Sequence, residues 1–364
     1  MFSFSKKLIV LFMCIVQLIV PFIYTIGSKA DANFEDWSAE DAYTLDYTTV
    51  LEKQAGEDFV ILNLTDIQLG EGEALTTNSD YSFALIDELI ERCEPDLITV
   101  AGDNLLGFVG TYSTLEKLSS TGIPYALVMG NHDGQGTITE DWCAYMAANA
   151  ENSLFKFGPK DMGYGNYIIN IRQGDEIIHS LYMMDTHDYA TFTNADGNVV
   201  EGYDHLWDNQ FDWYEWAVKG LADMEGKTVQ STIVFHIPVV EYTDAWNAAF
   251  DADANAFRPE YADSAFGVKL EDVCSAPVNN GFFDLVKELG STKDIIVGHD
   301  HKNSFSVPYE GVRLSYSLKT GFGSYAVPEE NGGSVLRIHD DGTTTFEHIY
   351  IAAEELGYDG NKMP

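Results

Sequence analysis

The chain has 364 residues, 45% hydrophobic and 13% aromatic. That is enough apolar mass to bury a full-sized core without disulfides, and it excludes a disordered chain. A formal charge of −38, from 58 acidic against 20 basic residues, repels polyanions from the general surface and makes a nucleic-acid polymer an unexpected partner.

Lys6 and Lys7 precede an apolar run over residues 8–26, and small residues close at Ala30-Asp31-Ala32, the three-part pattern of a secretory signal. Residues 1–32 are therefore expected to be a signal peptide. The apolar run approaches the roughly 20 residues that span a bilayer, so an N-terminal signal anchor is the alternative, although Gln17 and Pro21 interrupt it. The expected location is secreted or extracytoplasmic, with the membrane touched only through this segment if it stays uncleaved. The rest of the chain keeps Cys93, Cys143 and Cys274, which allow one disulfide at most and require none.

Residues 33–58 are acidic and aromatic without a clear period and read as a linker, so the folded domain is expected over 59–355. Phe59–Leu64 is a β-branched and apolar strand, residues 81–92 have helical spacing, and Pro95 leads into the strand Leu97–Ala101. The alternation continues with a helix near 113–119, strands at 125–129 and 232–235, a helix over Phe282–Leu289 and a strand at 294–297. Such alternation argues for an α/β fold. Residues 167–171 and 177–184 read as strands, and 210–217 as a helix whose aromatics belong to the core. Residues 241–278 lack a sustained period and read as one long loop, a candidate substrate-side wall. Residues 313–318, 334–338 and 344–351 read as closing strands.

Five clusters place Asp, Asn, Gln or His directly after an expected strand, where loops outside the strand ends build sites in α/β proteins. They are Asp66-Ile67-Gln68, Gly102-Asp103-Asn104, Gly130-Asn131-His132-Asp133, Phe235-His236 and Gly298-His299-Asp300-His301. Taken singly, Asp66 or Asp103 reads as a turn residue and His236 as a satisfied core histidine. Three consecutive polar side chains after Gly130 have little packing purpose. Asp185-Thr186-His187 also ends a strand and reads as solvated loop, with a pocket lining as the alternative. The span from Gly220 to Lys227 fails as a phosphate loop, because five residues separate its glycines and a strand follows. His179, His205, His339 and His348 read as structural, and no G-x-S-x-G elbow is present.

The ordered set resembles the calcineurin-like metallophosphoesterases. Their blocks run D-x-H, GD, GNH with a following acidic residue, a strand-end His and G-H-x-H. The resemblance extends from about Phe59 to the C-terminal strands, and residues 273–303 look like the branch related to purple acid phosphatases. Gln68 is the departure, standing where that family has His; an amide oxygen is a harder and weaker donor than imidazole.

The resemblance implies a four-layer α/β/β/α sandwich of two mixed β-sheets flanked by helices. It implies two metal ions, with Fe, Mn or Zn as the candidates. Asp66, Gln68, Asp103 and His301 would hold one, and Asp103, Asn131, His236 and His299 the other, with Asp103 shared. It further implies in-line attack on phosphorus by a metal-bound hydroxide. His132 would protonate the leaving oxygen, and Asp133 would orient its ring. The expected activity is hydrolysis of small phosphate esters, monoesters preferred. The alternatives are a small-molecule phosphodiesterase acting on a nucleotide or lipid head group, or a metal-binding protein without turnover.

Overall fold

The computed structural model describes residues 34–70, 72, 77–194 and 196–357, so the expected signal peptide lies outside the described residues. In chain order the first half runs β1 (Thr48–Glu52), β2 (Phe59–Leu64), α1 (Thr77–Cys93), β3 (Leu97–Ala101), α2 (Gly107–Ser120), β4 (Tyr125–Val128), α3 (Glu140–Ala148), β5 (Tyr167–Gln173) and β6 (Glu176–Met183). Then come the hairpin β7 (Tyr189–Thr193) and β8 (Val199–Tyr203), α4 (Asp208–Glu225), β9 (Gln230–Val234), α5 (Glu241–Ala249), and the short pair β10 (Phe250–Asp251) and β11 (Ala256–Phe257). The chain closes with α6 (Phe282–Leu289), β12 (Thr292–Val297), β13 (Ser306–Tyr309), β14 (Val312–Tyr316), β15 (Gly332–Ile338) and β16 (Thr344–Tyr350). Among the described residues no helix is long and apolar enough to cross a membrane.

Two large mixed sheets carry the fold. One has the order β1-β5-β6-β9-β12-β14-β13, the other β16-β15-β2-β3-β4. Strand alternation turns these sheets into layers, because successive side chains leave a strand on opposite faces. Ile169, Ile171, Leu181, Met183, Val234 and Ile296 of the seven-stranded sheet share one core with the five-stranded sheet and with α1. Their neighbours Ile168, Tyr182, Ile233 and Ile295 face the other way and pack with Trp213 and Tyr214 of α4 and Phe282 of α6. The result is the four-layer α/β/β/α sandwich. β2, with sequence FVILNL and every residue buried, is an uninterrupted apolar run because both of its faces are covered.

Two expectations need correction. Residues 48–52 are not linker: they form β1, which pairs in parallel with β5 from Thr48 opposite Ile168 to Glu52 opposite Arg172. Five half-buried or exposed residues at a sheet edge show no apolar alternation, so the period that betrays most strands is missing there. Nor is 241–278 one loop. Tyr242, Ala245 and Ala249 are buried along one side of α5, a helical stripe three and four residues apart, and Phe250 then pairs with Phe257.

β2, β3 and β4 run parallel in one sheet, and β9 and β12 run parallel in the other. Their carboxyl ends meet at one edge of the sandwich, and each of the five motif clusters follows one of these five strands, while Asp185-Thr186-His187 follows β6.

Candidate metal centre

The loops are stitched together before any side chain is considered. Asp66 N–H donates to the Gly102 carbonyl at 3.1 Å, Gln68 N–H to the Asp103 carbonyl at 3.0 Å, and Gly298 N–H to the His236 carbonyl at 3.3 Å. Asp66, Gln68, Asp103 and His299 take left-handed backbone, with φ of 51°, 44°, 58° and 78°. That conformation is costly for non-glycine residues and concentrates at functional sites. A Cβ on Gly130 would collide with the Asp103 carboxylate and the His236 ring, and one on Gly298 with the side chains of Thr65 and Asp66. Both motif glycines are therefore fixed by the closeness of the loops around them.

Asp66, Asp103 and His236 are all buried, and each offers an atom within 4.8 Å of the others. His236 Nε2 lies 3.3 Å from Asp103 Oδ2, and His301 Nε2 lies 3.2 Å from Asp66 Oδ1. His299 Nδ1 stands 3.3 Å from His236 Nε2. The far ring nitrogens are fixed by backbone: His236 Nδ1 donates to the Ala101 carbonyl at 2.7 Å and His301 Nδ1 to the Tyr325 carbonyl at 3.0 Å. This leaves Nε2 of each ring facing the carboxylates, an arrangement that sets tautomer and orientation in metal-ligating histidines.

Two buried side chains here have polar atoms with no hydrogen-bond partner, His299 at Nε2 and Asn131 at both amide atoms, while Asp66 Oδ1 meets only the His301 ring. Buried polar groups are seldom left so, and leaving one unpaired costs about 1–3 kcal/mol. Carboxylate, imidazole and amide groups of this kind are the donor set that a divalent cation satisfies. Burial works against ionisation of Asp66 and Asp103, yet His301 beside the first and His236 beside the second hold both below the usual carboxylate range. Burial likewise disfavours charge on His236, but the carboxylates of Asp103 and Asp66 outweigh it and push the imidazole up to about 10. His299, buried and next to that imidazolium, is pushed down to about 3 and keeps a free lone pair.

Residues 59–303 match the family described as calcineurin-like phosphoesterase. The chain belongs to that family. An Arabidopsis thaliana protein named probable inactive purple acid phosphatase 14 is 30% identical over 306 residues, covering 73% of this chain and 71% of its own. Phosphatase DCR2 of Saccharomyces cerevisiae is 27% identical over 272 residues, covering 68% of this chain and 44% of its own. A dimetal phosphatase from Danio rerio aligns with 81% of this chain and 99% of its own at 11% identity and a TM-score of 0.46.

Within this calcineurin-like phosphoesterase the family blocks account for most of the cluster, and three residues depart from expectation. Asp133 does not serve the His132 ring. Its carboxylate accepts the backbone N–H groups of Asp103, Asn104, Leu105 and Gly130 and so ties the loop after β3 to the loop after β4. The ring of His132 is held instead through Nδ1, 2.8 Å from Gln135 Oε1, while its backbone N–H donates to Asp103 Oδ1 at 2.8 Å. In a tight turn, adjacent side chains diverge, and sequence adjacency misled on this point. Burial, then the Asp103 charge, push Asp133 up to about 7 against the pull of these backbone donors.

Gln68 turns its amide nitrogen, not its oxygen, to the centre: Nε2 donates to Asp103 Oδ2 at 2.9 Å. Its oxygen accepts from Lys319, a buried lysine that no motif flagged, at 3.3 Å. Asp185 is buried rather than solvated. It accepts the backbone N–H groups of Tyr164 and His187 at 2.8 Å each, while His187 stacks on Trp207 at 3.7 Å. Two of the remaining histidines are structural: His179 bonds Gly342 O and Thr232 Oγ1, and His348 bonds Ser304 O and Ser334 Oγ. Cys93, Cys143 and Cys274 are free.

Proposed function

We propose that this chain is an exported, metal-dependent hydrolase of small phosphate esters, with phosphomonoesters preferred. The observation that carries the reading is the buried cluster of Asp66, Asp103 and His236 with His299 against His236, in which His299 Nε2 has no hydrogen-bond partner and Asp66 Oδ1 meets only the His301 ring. Asp66, Asp103, Asn131, His236, His299 and His301 would hold the cations, with Asp103 between them. Bound there, divalent cations would supply Lewis acidity, lowering the pKa of water and neutralising phosphate oxygens.

The chain's own contribution is placement. Asp133 and the backbone bonds between loops hold the donors still. His132, half-buried, has its backbone on Asp103 and its Nδ1 on Gln135, leaving Nε2 to carry a proton to the leaving oxygen. Cations at the centre would outweigh two carboxylates, so an anionic ester can enter a protein whose surface repels polyanions. The stretch 268–274 lies along this edge: Cys274 N–H donates to Asp300 Oδ2 at 3.2 Å, and Asn303 Oδ1 accepts from Leu270 and Glu271. It forms one wall of the substrate approach.

The test is parallel hydrolysis of a chromogenic phosphomonoester and its diester by metal-loaded wild type, with Asp103→Asn as control. Faster monoester cleavage, lost in Asp103→Asn, is expected. Preference for the diester would favour the phosphodiesterase reading. A second reading, a metal-binding protein without turnover, is favoured by the Gln68 departure and by the word inactive in the name of the plant relative. Metal retention with no cleavage of either ester would select it. Export rests on the pattern over residues 1–32, and N-terminal sequencing of the natural product should find a start near Asn33; an intact Met1 would indicate a retained anchor.

A further inference from the structure

The two ends of the centre are not equivalent. At one end Asp103, His236 and His299 present a carboxylate and two imidazoles, and Asn131, next along the chain from the Gly130 that abuts Asp103, keeps both amide atoms free. At the other end Asp66 and His301 face each other, and the next side chain, Gln68, is already engaged on both of its polar atoms.

Lys319 causes this. It is only 3% exposed, and its ammonium donates to the Asp66 carbonyl at 2.8 Å and to Gln68 Oε1 at 3.3 Å. An ammonium has three donors and no acceptor, so it admits only the oxygen of the amide and fixes which way the amide is turned. The nitrogen must then face Asp103 Oδ2, 2.9 Å away, and an amide nitrogen has no lone pair to offer a cation. The lysine is itself anchored. Gly332 N–H donates to the Lys319 carbonyl at 3.1 Å, and Thr320 N–H donates to the Thr65 carbonyl at 3.0 Å. The segment that carries the ammonium is thus stitched to the loop that carries Asp66 and Gln68. An ammonium there also lies beside Asp66, where a second cation would have to sit, and like charges in a buried site repel.

We propose that Lys319 makes Gln68 a positioning residue for Asp103 rather than a metal ligand, so that the centre holds one cation tightly at Asp103, Asn131, His236 and His299 and a second only weakly at Asp66 and His301. This rests on the metal-centred reading above. Lys319 thus sets metal occupancy through the orientation of Gln68.

The test is metal stoichiometry, measured without reference to activity. Wild type, Gln68→His and Lys319→Met are loaded with Mn2+, dialysed against a weak chelator and analysed for bound metal; Mn2+ titrations followed by electron paramagnetic resonance give the two affinities. One retained ion per wild-type chain, giving the signal of an isolated ion, is expected. Gln68→His and Lys319→Met should each tighten the second ion by about 10–100-fold, the usual effect of residues that orient ligands. Two ions of equal affinity in the wild type would overturn the inference while leaving the metal-centred reading intact. No retained ion in the wild type would overturn both. Unequal sites unchanged by either folded substitution would overturn the role of Lys319. Should Lys319→Met fail to fold, wild type and Gln68→His decide the matter by themselves.

Discussion

Both carboxylate oxygens of Asp103 are used before any cation arrives: Oδ1 accepts the His132 N–H and Oδ2 accepts the Gln68 amide. That orientation makes the neighbouring residues separable by experiment. His132→Ala removes a half-buried ring bonded only to the exposed Gln135, so turnover should fall by about 10²–10⁴-fold while metal content and the unfolding midpoint stay in place. Asp133→Asn should do the reverse at the level of the fold. It weakens a carboxylate that gathers four backbone donors, each such bond contributing about 1.5–3 kcal/mol, and a loss of several kcal/mol in urea unfolding is expected. If His132→Ala loosened the fold, or Asp133→Asn left its stability unchanged, the assignments would be reversed.

At the residue scale the structure brings together Asp66, Asp103, His236 and His299, each of which follows a buried strand that ends abruptly in polar side chains. Those residue types have no packing role at a strand end, so their chemistry shows through. Lys319 was illegible because a lone lysine after a strand carries no pattern. Its meaning lies in a contact with Gln68 across more than two hundred positions of chain. Asp133 was misread because neighbours in sequence were taken for neighbours in space.

At the scale of elements, α1, α4, α6 and the central strands were legible because burial imposes a period on them, whereas α3 and α5 were not. β1 was not, and besides its ladder with β5 the segment before it is held by aromatic contact outside the sheet. Trp216 of α4 meets the rings of Trp37, Tyr43 and Tyr47 at 5.7, 5.3 and 5.1 Å, and its Nε1–H donates to the Asp41 carbonyl at 2.7 Å. Replacing Trp216 with Ala should cost about 3 kcal/mol and raise amide exchange in β1 before it does so in β2. Uniform exchange across both strands would show that the N-terminal segment is not a separable unit held by this cluster.

At the scale of the whole molecule, titration of buried groups governs stability. Burial pushes His179 and His348 down to about 4 each, so both are neutral in the folded chain and take up a proton on unfolding between that value and their ordinary 6.5. Stability from these two groups is fully present above pH 6.5 and is lost as the pH falls towards 4. His179→Gln removes one such group while leaving all other titrations in place. Between pH 7 and 5 the variant should therefore lose roughly 2 kcal/mol less stability than the wild type, as read from unfolding midpoints at each pH. Equal slopes would mean that His179 is already protonated in the folded chain.

The central claim is that five loops from two sheets converge on a cation held through Asp103. Crystals grown with Mn2+ or Zn2+ and measured at the metal's absorption edge test it directly. The account predicts an anomalous peak about 2.0–2.2 Å from Asp103, His236 and His299; a metal-saturated crystal with no peak among these three side chains would contradict it.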